Sequence, residues 1–234
     1  MRSHIPVFVA ALTSLLWATG ASAATVEYTF SANVSLEIRG NQLATPEQTF
    51  FAPGTLIAGS FDYDPTAPLL LADSGGSIYG SVSNLTGSID GRTFSDPSGF
   101  SFVSNNRFDL DPNDPNNPLI DFLSIAADGG PDATLDGFAI DNQGSQFDLV
   151  NVRLFWFSPQ GDFLSDESLP NMPAPQTEIA RMALDFVDLA NPSITHTVFA
   201  EPLVVTPVPV PAAAWLLISA LGVFRIFAKP RQPA

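Results

Sequence analysis

The stretch TVEYTFSANVSLEI, residues 25–38, alternates in side-chain character without a break. Val26, Tyr28, Phe30, Ala32, Val34, Leu36 and Ile38 fall on one face. Thr25, Glu27, Thr29, Ser31, Asn33, Ser35 and Glu37 fall on the other. A period of two is the signature of a β-strand with one face in a core and one in water; a helix, with its period of 3.6, does not produce it. Ile57, Gly59, Phe61 and Tyr63 repeat the pattern, as do Ile78, Gly80 and Val82. After Asn84 the phase reverses, so that Leu85, Gly87 and Ile89 come into register, and a reversal inside one strand predicts a β-bulge or a bend.

Further strands are predicted at Leu119–Ala126, Leu135–Ile140, Phe147–Phe157, Ile179–Val187 and Ile194–Ala200. Turn residues stand between the runs at Asp64-Pro65, Asp73–Gly76, Asp90-Gly91, Asp96-Pro97, Asp128–Pro131 and Gln160-Gly161. Residues 178–189 carry apolar side chains on several faces and would admit a helix, but Phe186 and Val187 favour a pleated surface. Ser165–Gln176, with three prolines, reads as a long loop. Many short strands separated by turns predict an all-β fold, an antiparallel β-sandwich or jelly roll, over residues 24–200.

The charge of this body excludes several functions. All 24 acidic residues lie between Glu27 and Glu201, where the only bases are Arg39, Arg92, Arg107, Arg153 and Arg181, giving a net charge of −19 and no lysine. Such a surface repels nucleic acid, whose phosphates need clustered Lys and Arg, and it favours cations. No cysteine is present, so neither disulfides nor thiolate chemistry enter. Beyond His4 the only histidine is His196, on the same strand face as Ile194 and Val198, and it is expected to be a packed or edge side chain. One histidine without a Gly-x-Ser-x-Gly turn does not make a Ser-His-Asp triad, and one histidine without cysteine does not make a common zinc site. Two carboxylates would suffice for a glycosidase, but no acid stands out by its setting. The body is therefore expected to be non-enzymatic.

The most distinctive stretch of the body runs from Asp109 to Asp121. Asp109, Asp111, Asn113, Asp114 and Asp121 place oxygen ligands at spacings resembling the opening of a calcium loop, so calcium is a candidate cofactor. The sixth and twelfth positions, Asp114 and Ile120, depart from the EF-hand pattern. The alternative is a series of Asx-Pro turns whose side chains bond their own backbone.

The two ends of the chain carry targeting patterns. Arg2 precedes an apolar run, Ile5–Ala18, and Ala21-Ser22-Ala23 has the small-x-small form that signal peptidase accepts, so residues 1–23 read as a secretory signal peptide. At the other end residues 201–211 form a Pro-rich linker, with Pro202, Pro207, Pro209 and Pro211, expected to act as a stiff extended spacer. Residues 212–228 are apolar and long enough for a helix of about 26 Å, close to the roughly 30 Å of a bilayer core. Arg225 would snorkel to the headgroups, and Lys229 and Arg231 lie in the basic end, residues 229–234, which should stay cytoplasmic.

Val208-Pro209-Val210-Pro211-Ala212, followed by the apolar segment and the basic end, resembles the sorting tail of the PEP-CTERM family in its Val-Pro-Leu-Pro-Ala variant. The match covers residues from Val208 onward. Val210 replaces the usual leucine or glutamate, and Arg225 interrupts the apolar segment earlier than the usual basic run. The resemblance implies a Gram-negative bacterium that makes extracellular polysaccharide, and export through its inner membrane. It also implies recognition by an exosortase, a membrane transpeptidase-like enzyme that cuts at the proline motif and releases or re-attaches the body. The expectation is a cell-surface or matrix protein associated with exopolysaccharide. The alternatives are a carbohydrate-binding module, for which Phe155-Trp156-Phe157 offers an aromatic side chain, and a glycoside hydrolase.

Overall fold

A computed structural model describes residues 25–72, 75–108, 119–127, 135, 138–158, 163–171 and 179–209. The signal peptide, most of the Asp109–Asp121 stretch and the tail from Val210 onward lie outside these residues. Within them the chain is all β. The strands are β1 (Val26–Arg39), β2 (Gln42–Leu43), β3 (Leu56–Tyr63), β4 (Leu69–Ala72), β5 (Ser77–Ile89), β6 (Arg92–Phe108), β7 (Ile120–Ala127), β8 (Ala139–Asn142), β9 (Ser145–Ser158), β10 (Ile179–Asp188), β11 (Thr195–Ala200) and β12 (Val204–Pro207). No helix among the described residues is long and apolar enough to cross a membrane.

The expected two-sheet sandwich is replaced by a closed barrel. Hydrogen bonding runs β10-β11-β1-β3-β5-β6-β7-β9, and β9 then pairs with β10, so eight antiparallel strands form a ring. Strand length explains the closure. β5, β6 and β9 have 13, 17 and 14 residues, long enough to twist and coil around one core instead of splitting into two layers. Short strands extend the ring at its rims: β2 and β12 on β1, β4 on β5, and β8 on β9. The barrel is filled, not hollow. Tyr28, Phe30, Phe61, Tyr63, Phe94, Phe147, Trp156 and Phe186 are buried in one core with the inward aliphatics of every ring strand. Tyr28 stacks on Phe61 at 5.7 Å between centroids, and burial raises the phenol pKa of both Tyr28 and Tyr63.

Several local expectations hold. Asp90-Gly91, with φ of 49° and 75°, makes the two-residue hairpin turn between the paired Ile89 and Arg92. The phase reversal in β5 is a bulge. Ser60 pairs with Thr86 but Asp62 pairs with Ser83, so β5 carries one extra residue there, and Asn84 adopts φ 52°. Residues 179–188 form a strand.

Four expectations are corrected. Asp96-Pro97 lies inside β6, not in a turn. Pro97 falls opposite the Asn84 bulge and before Phe100, where pairing with β7 begins, and a missing N–H is tolerated at such a place. Of the described residues within 135–140, which are 135 and 138–140, only Ala139 and Ile140 are in a strand. The alternation of β1 does not run to Ile38: Val34 pairs with Ala200 and Leu36 with Phe199, so a bulge at Ser35 turns Leu36 outward and Glu37 inward. Finally, the segment after Ala200 does not leave the body. β12 pairs with β1 from Tyr28↔Pro207 to Ser31↔Val204, and the Val208 N–H donates to the Glu27 carbonyl at 2.8 Å. Val204, Val205 and Thr206 are β-formers with free N–H groups, and they outweigh the stiffening prolines on either side.

Gly59 faces Phe30 where β3 crosses β5. A Cβ there would stand 2.0 Å from the Thr86 carbonyl oxygen and 2.5 Å from the Phe30 ring. Because the first obstacle is backbone, Gly59→Ala should destabilise the barrel by about 1–3 kcal/mol, read as a lower urea midpoint. Gly80→Ala meets only the Leu70 side chain at 3.4 Å and should change the midpoint little.

Candidate functional site

The strand ends define two poles. At one lie Val26, Tyr63, Ser77, Ile120, Ser158, Ile179 and Pro207; at the other lie Arg39, Leu56, Ile89, Ala127, Asp188 and Thr195. Chemistry-bearing side chains gather at each pole and on one outer face.

At the second pole the β1 bulge delivers Glu37 to His196. The two are 5% and 0% exposed, and Glu37 Oε2 lies 2.6 Å from His196 Nε2. The same carboxylate accepts the N–H groups of Phe50 (2.7 Å) and Phe51 (2.9 Å), and the Phe50 ring stacks on the imidazole at 3.8 Å. Glu37 thus fastens residues 44–55 across this end of the barrel. Asn142 helps, reaching the Glu47 and Thr49 carbonyls and receiving Arg39, whose guanidinium lies 4.8 Å from the centroid of the Phe147 ring. His196 Nδ1 is buried and has no hydrogen-bond partner, so no hydroxyl completes a nucleophilic triad on this pair. Asp188 closes the same rim. Burial pushes its carboxyl pKa up, but the N–H groups of Ala190 and Asn191, the Ser145 hydroxyl and the nearby Arg39 outweigh this and hold it below the usual range.

At the first pole Asp121, a candidate calcium ligand, is fully buried and differently employed. Its Oδ1 accepts the Asn106 N–H (2.9 Å), and its Oδ2 accepts those of Phe163 (3.0 Å) and Leu164 (2.8 Å). It pins residues 163–171, which Tyr63 and Tyr79 also hold through hydroxyl bonds to the Pro170 and Glu167 carbonyls. Asp109, Asp111, Asn113 and Asp114 lie outside the described residues. Among the described residues no three His, Cys, Asp or Glu side chains are grouped to hold a metal.

Of the sorting motif, Val208 and Pro209 are described, and Val210, Pro211 and Ala212 are not. Ala21, Ala23, Arg225, Lys229 and Arg231 also lie outside. Among the described residues the last to make a backbone hydrogen bond is Val208, immediately before the first proline of the pair.

The outer face of β6, β7 and β9 carries a row of phenylalanines. Phe102, Phe122, Phe155 and Phe157 succeed one another at centroid separations of 6.0, 6.1 and 6.3 Å; the last two pairs are stacked at 27° and 16°. The first three are half-buried, while Trp156, between Phe155 and Phe157 in sequence, is buried in the core. Among the described side chains nearby, Arg153 pairs with Asp185 at 2.8 Å and Arg181 with Glu201 at 2.6 Å. Sequence reasoning pointed to Phe155-Trp156-Phe157 as offering an aromatic side chain but not to Phe102 or Phe122. The signal was the spacing of two in Phe155–Phe157 together with the lone Phe122 of a strand apolar on both faces. Glu37 left no signal, because the unbroken alternation of β1 assigns it to water.

No protein-family model, curated protein or solved structure matches the chain.

The Glu37 anchor is testable without knowledge of a ligand. Glu37→Ala leaves two backbone N–H groups and the imidazole without an acceptor in a buried place. It should destabilise by about 3–5 kcal/mol, seen as a fall in thermal midpoint. Glu37→Gln keeps one acceptor oxygen and should lose less.

Proposed function

We propose that the protein is an exported cell-surface or matrix component with no catalytic role, carried by an acidic β-barrel and sorted through its C-terminal tail by an exosortase. The observation that carries this reading is the position of Val208. Among the described residues pairing ends there, and Pro209 and Pro211 lack the N–H that would extend a ladder, so the motif Pro209-Val210-Pro211-Ala212 follows directly on the last described pair. A protease that grips extended chain needs a segment that is not already paired. Residues 212–228 supply the membrane-spanning element of this reading, and Arg225, Lys229 and Arg231 its cytoplasmic charge. Calcium enters only through Asp109, Asp111, Asn113 and Asp114, since the Asp121 carboxylate already accepts three backbone N–H groups.

Pro209→Ala with Pro211→Ala keeps the apolar length and the basic end. In fractionated host cells the full-length precursor should accumulate in the membrane and the shorter mature form should disappear. Equal processing of variant and wild type would refute the sorting role.

A second reading, a carbohydrate-binding barrel, is favoured by the phenylalanine row. Sugar rings present apolar C–H faces that stack on aromatic faces, and a neutral polymer is indifferent to the −19 body. Retardation in gels containing the host exopolysaccharide should fall several-fold for Phe122→Ala with Phe155→Ala; unchanged mobility relative to wild type in plain and polysaccharide gels would remove this reading.

A further inference from the structure

We infer that β4, with Leu69, Leu70 and Leu71, is a lipid-contacting blade that rests on the bilayer surface from which the tail emerges. This inference rests on the reading of residues 212–228 as a membrane span.

The three leucines are 52%, 62% and 56% exposed. β4 exposes all four of its side chains, with a bulge between Leu69 and Leu71. Among the described residues it pairs only with Ser77–Tyr79 of β5, and residues 65–72 carry no charge. Its shortness, its bulge and Pro68 before it blunt it against pairing with another strand. Three adjacent exposed leucines are nonetheless an apolar patch matched to an apolar medium, and their place in the barrel says which one.

β3 ends at Tyr63, opposite Val82, but β5 continues from Val82 back to Ser77, and β4 lies along this extension. Five residues at roughly 3.3 Å carry β4 about 16 Å beyond the end of β3 along the strand, to the level of Ser77 at the first pole. The tail leaves from the same rim. Val208 is bonded to Glu27, Glu27 pairs with Asp62, and β4 follows Asp62 within ten residues. Tail exit and blade are therefore separated by β1 and β3, about 10 Å. From Val208 to Ala212, the first apolar residue of the tail, a fully extended chain reaches at most about 14 Å. A rim held within that distance of the membrane brings the blade to the headgroups. Glu27, Asp62 and Asp64 on the adjoining strands point to a zwitterionic surface, not an anionic one.

The chain has no cysteine, so single thiols are unambiguous. Leu70→Cys, Leu189→Cys at the opposite pole (51% exposed) and Leu217→Cys within the tail would each carry a bimane fluorophore on the full chain. All three would be reconstituted in phosphatidylcholine vesicles containing a lipid quencher attached near the headgroup. Position 70 should be quenched at least about twofold more than position 189, with position 217 also quenched. Quenching at 217 but none at 70 beyond that at 189 would overturn the inference and leave the tail reading standing. No quenching at 217 would remove the tail reading and the inference with it. A concentration-dependent shift of the label at 70 in lipid-free detergent, absent at 189, would assign the blade to a second copy and overturn the lipid surface.

Discussion

Everything else in this molecule depends on the pairing of β9 with β10. Their register runs from Ile179↔Phe157 to Asp188↔Phe147, and without it the eight strands would be an open sheet with two long unpaired edges. Closure satisfies those backbone groups and encloses an interior that the inward aromatics fill. It also does the work that covalent links do in many exported proteins, for this chain has no cysteine. The short strands β2, β4, β8 and β12 lie at the rims, and the loops fastened by buried carboxylates are found there too.

Strand content was legible in the sequence; the number of sheets was not. Period-two runs at 25–38, 57–63 and 78–89 fix which residues are extended, because alternation is a local property. Whether long antiparallel strands fold into two layers or close on themselves depends on coiling and on one non-local pair, β9–β10, and composition carries no trace of that choice. The Asn84 bulge could be seen because the apolar phase changes there. The Ser35 bulge could not, since Leu36 and Ile38 sustain the alternation while the backbone abandons it, and so the burial of Glu37 beside His196 was invisible. The histidine itself was read correctly as packed: its face is that of Val198.

The two poles divide the labour. At one, Glu37 and Asp188 turn carboxylates inward to hold backbone N–H groups, and at the other Asp121 does the same. Much of what looked in the sequence like a reserve of acidic ligands is thus structural where it is buried, each carboxylate acting as a clasp for a loop that has no strand partner. Asp96 is buried as well, inside β6, with its Oδ1 accepting the Ser98 N–H.

The short strand β12 has a mechanical meaning. It is the last paired element among the described residues, and it runs antiparallel to β1 with its hydrogen bonds perpendicular to its own direction. A force on the tail directed away from the pole therefore loads the bonds between Tyr28–Ser31 and Val204–Pro207 together, in shear. Peeling them one at a time would need a sideways pull. Behind β12 the Glu201 N–H is bonded to Asn33 and the Leu203 N–H to Ala180, so a pull that does break β12 meets two further attachments before it reaches β11. Residues 201–208 thus act as a strain relief, taking up a pull from the C-terminal side before it reaches the ring that keeps the barrel folded.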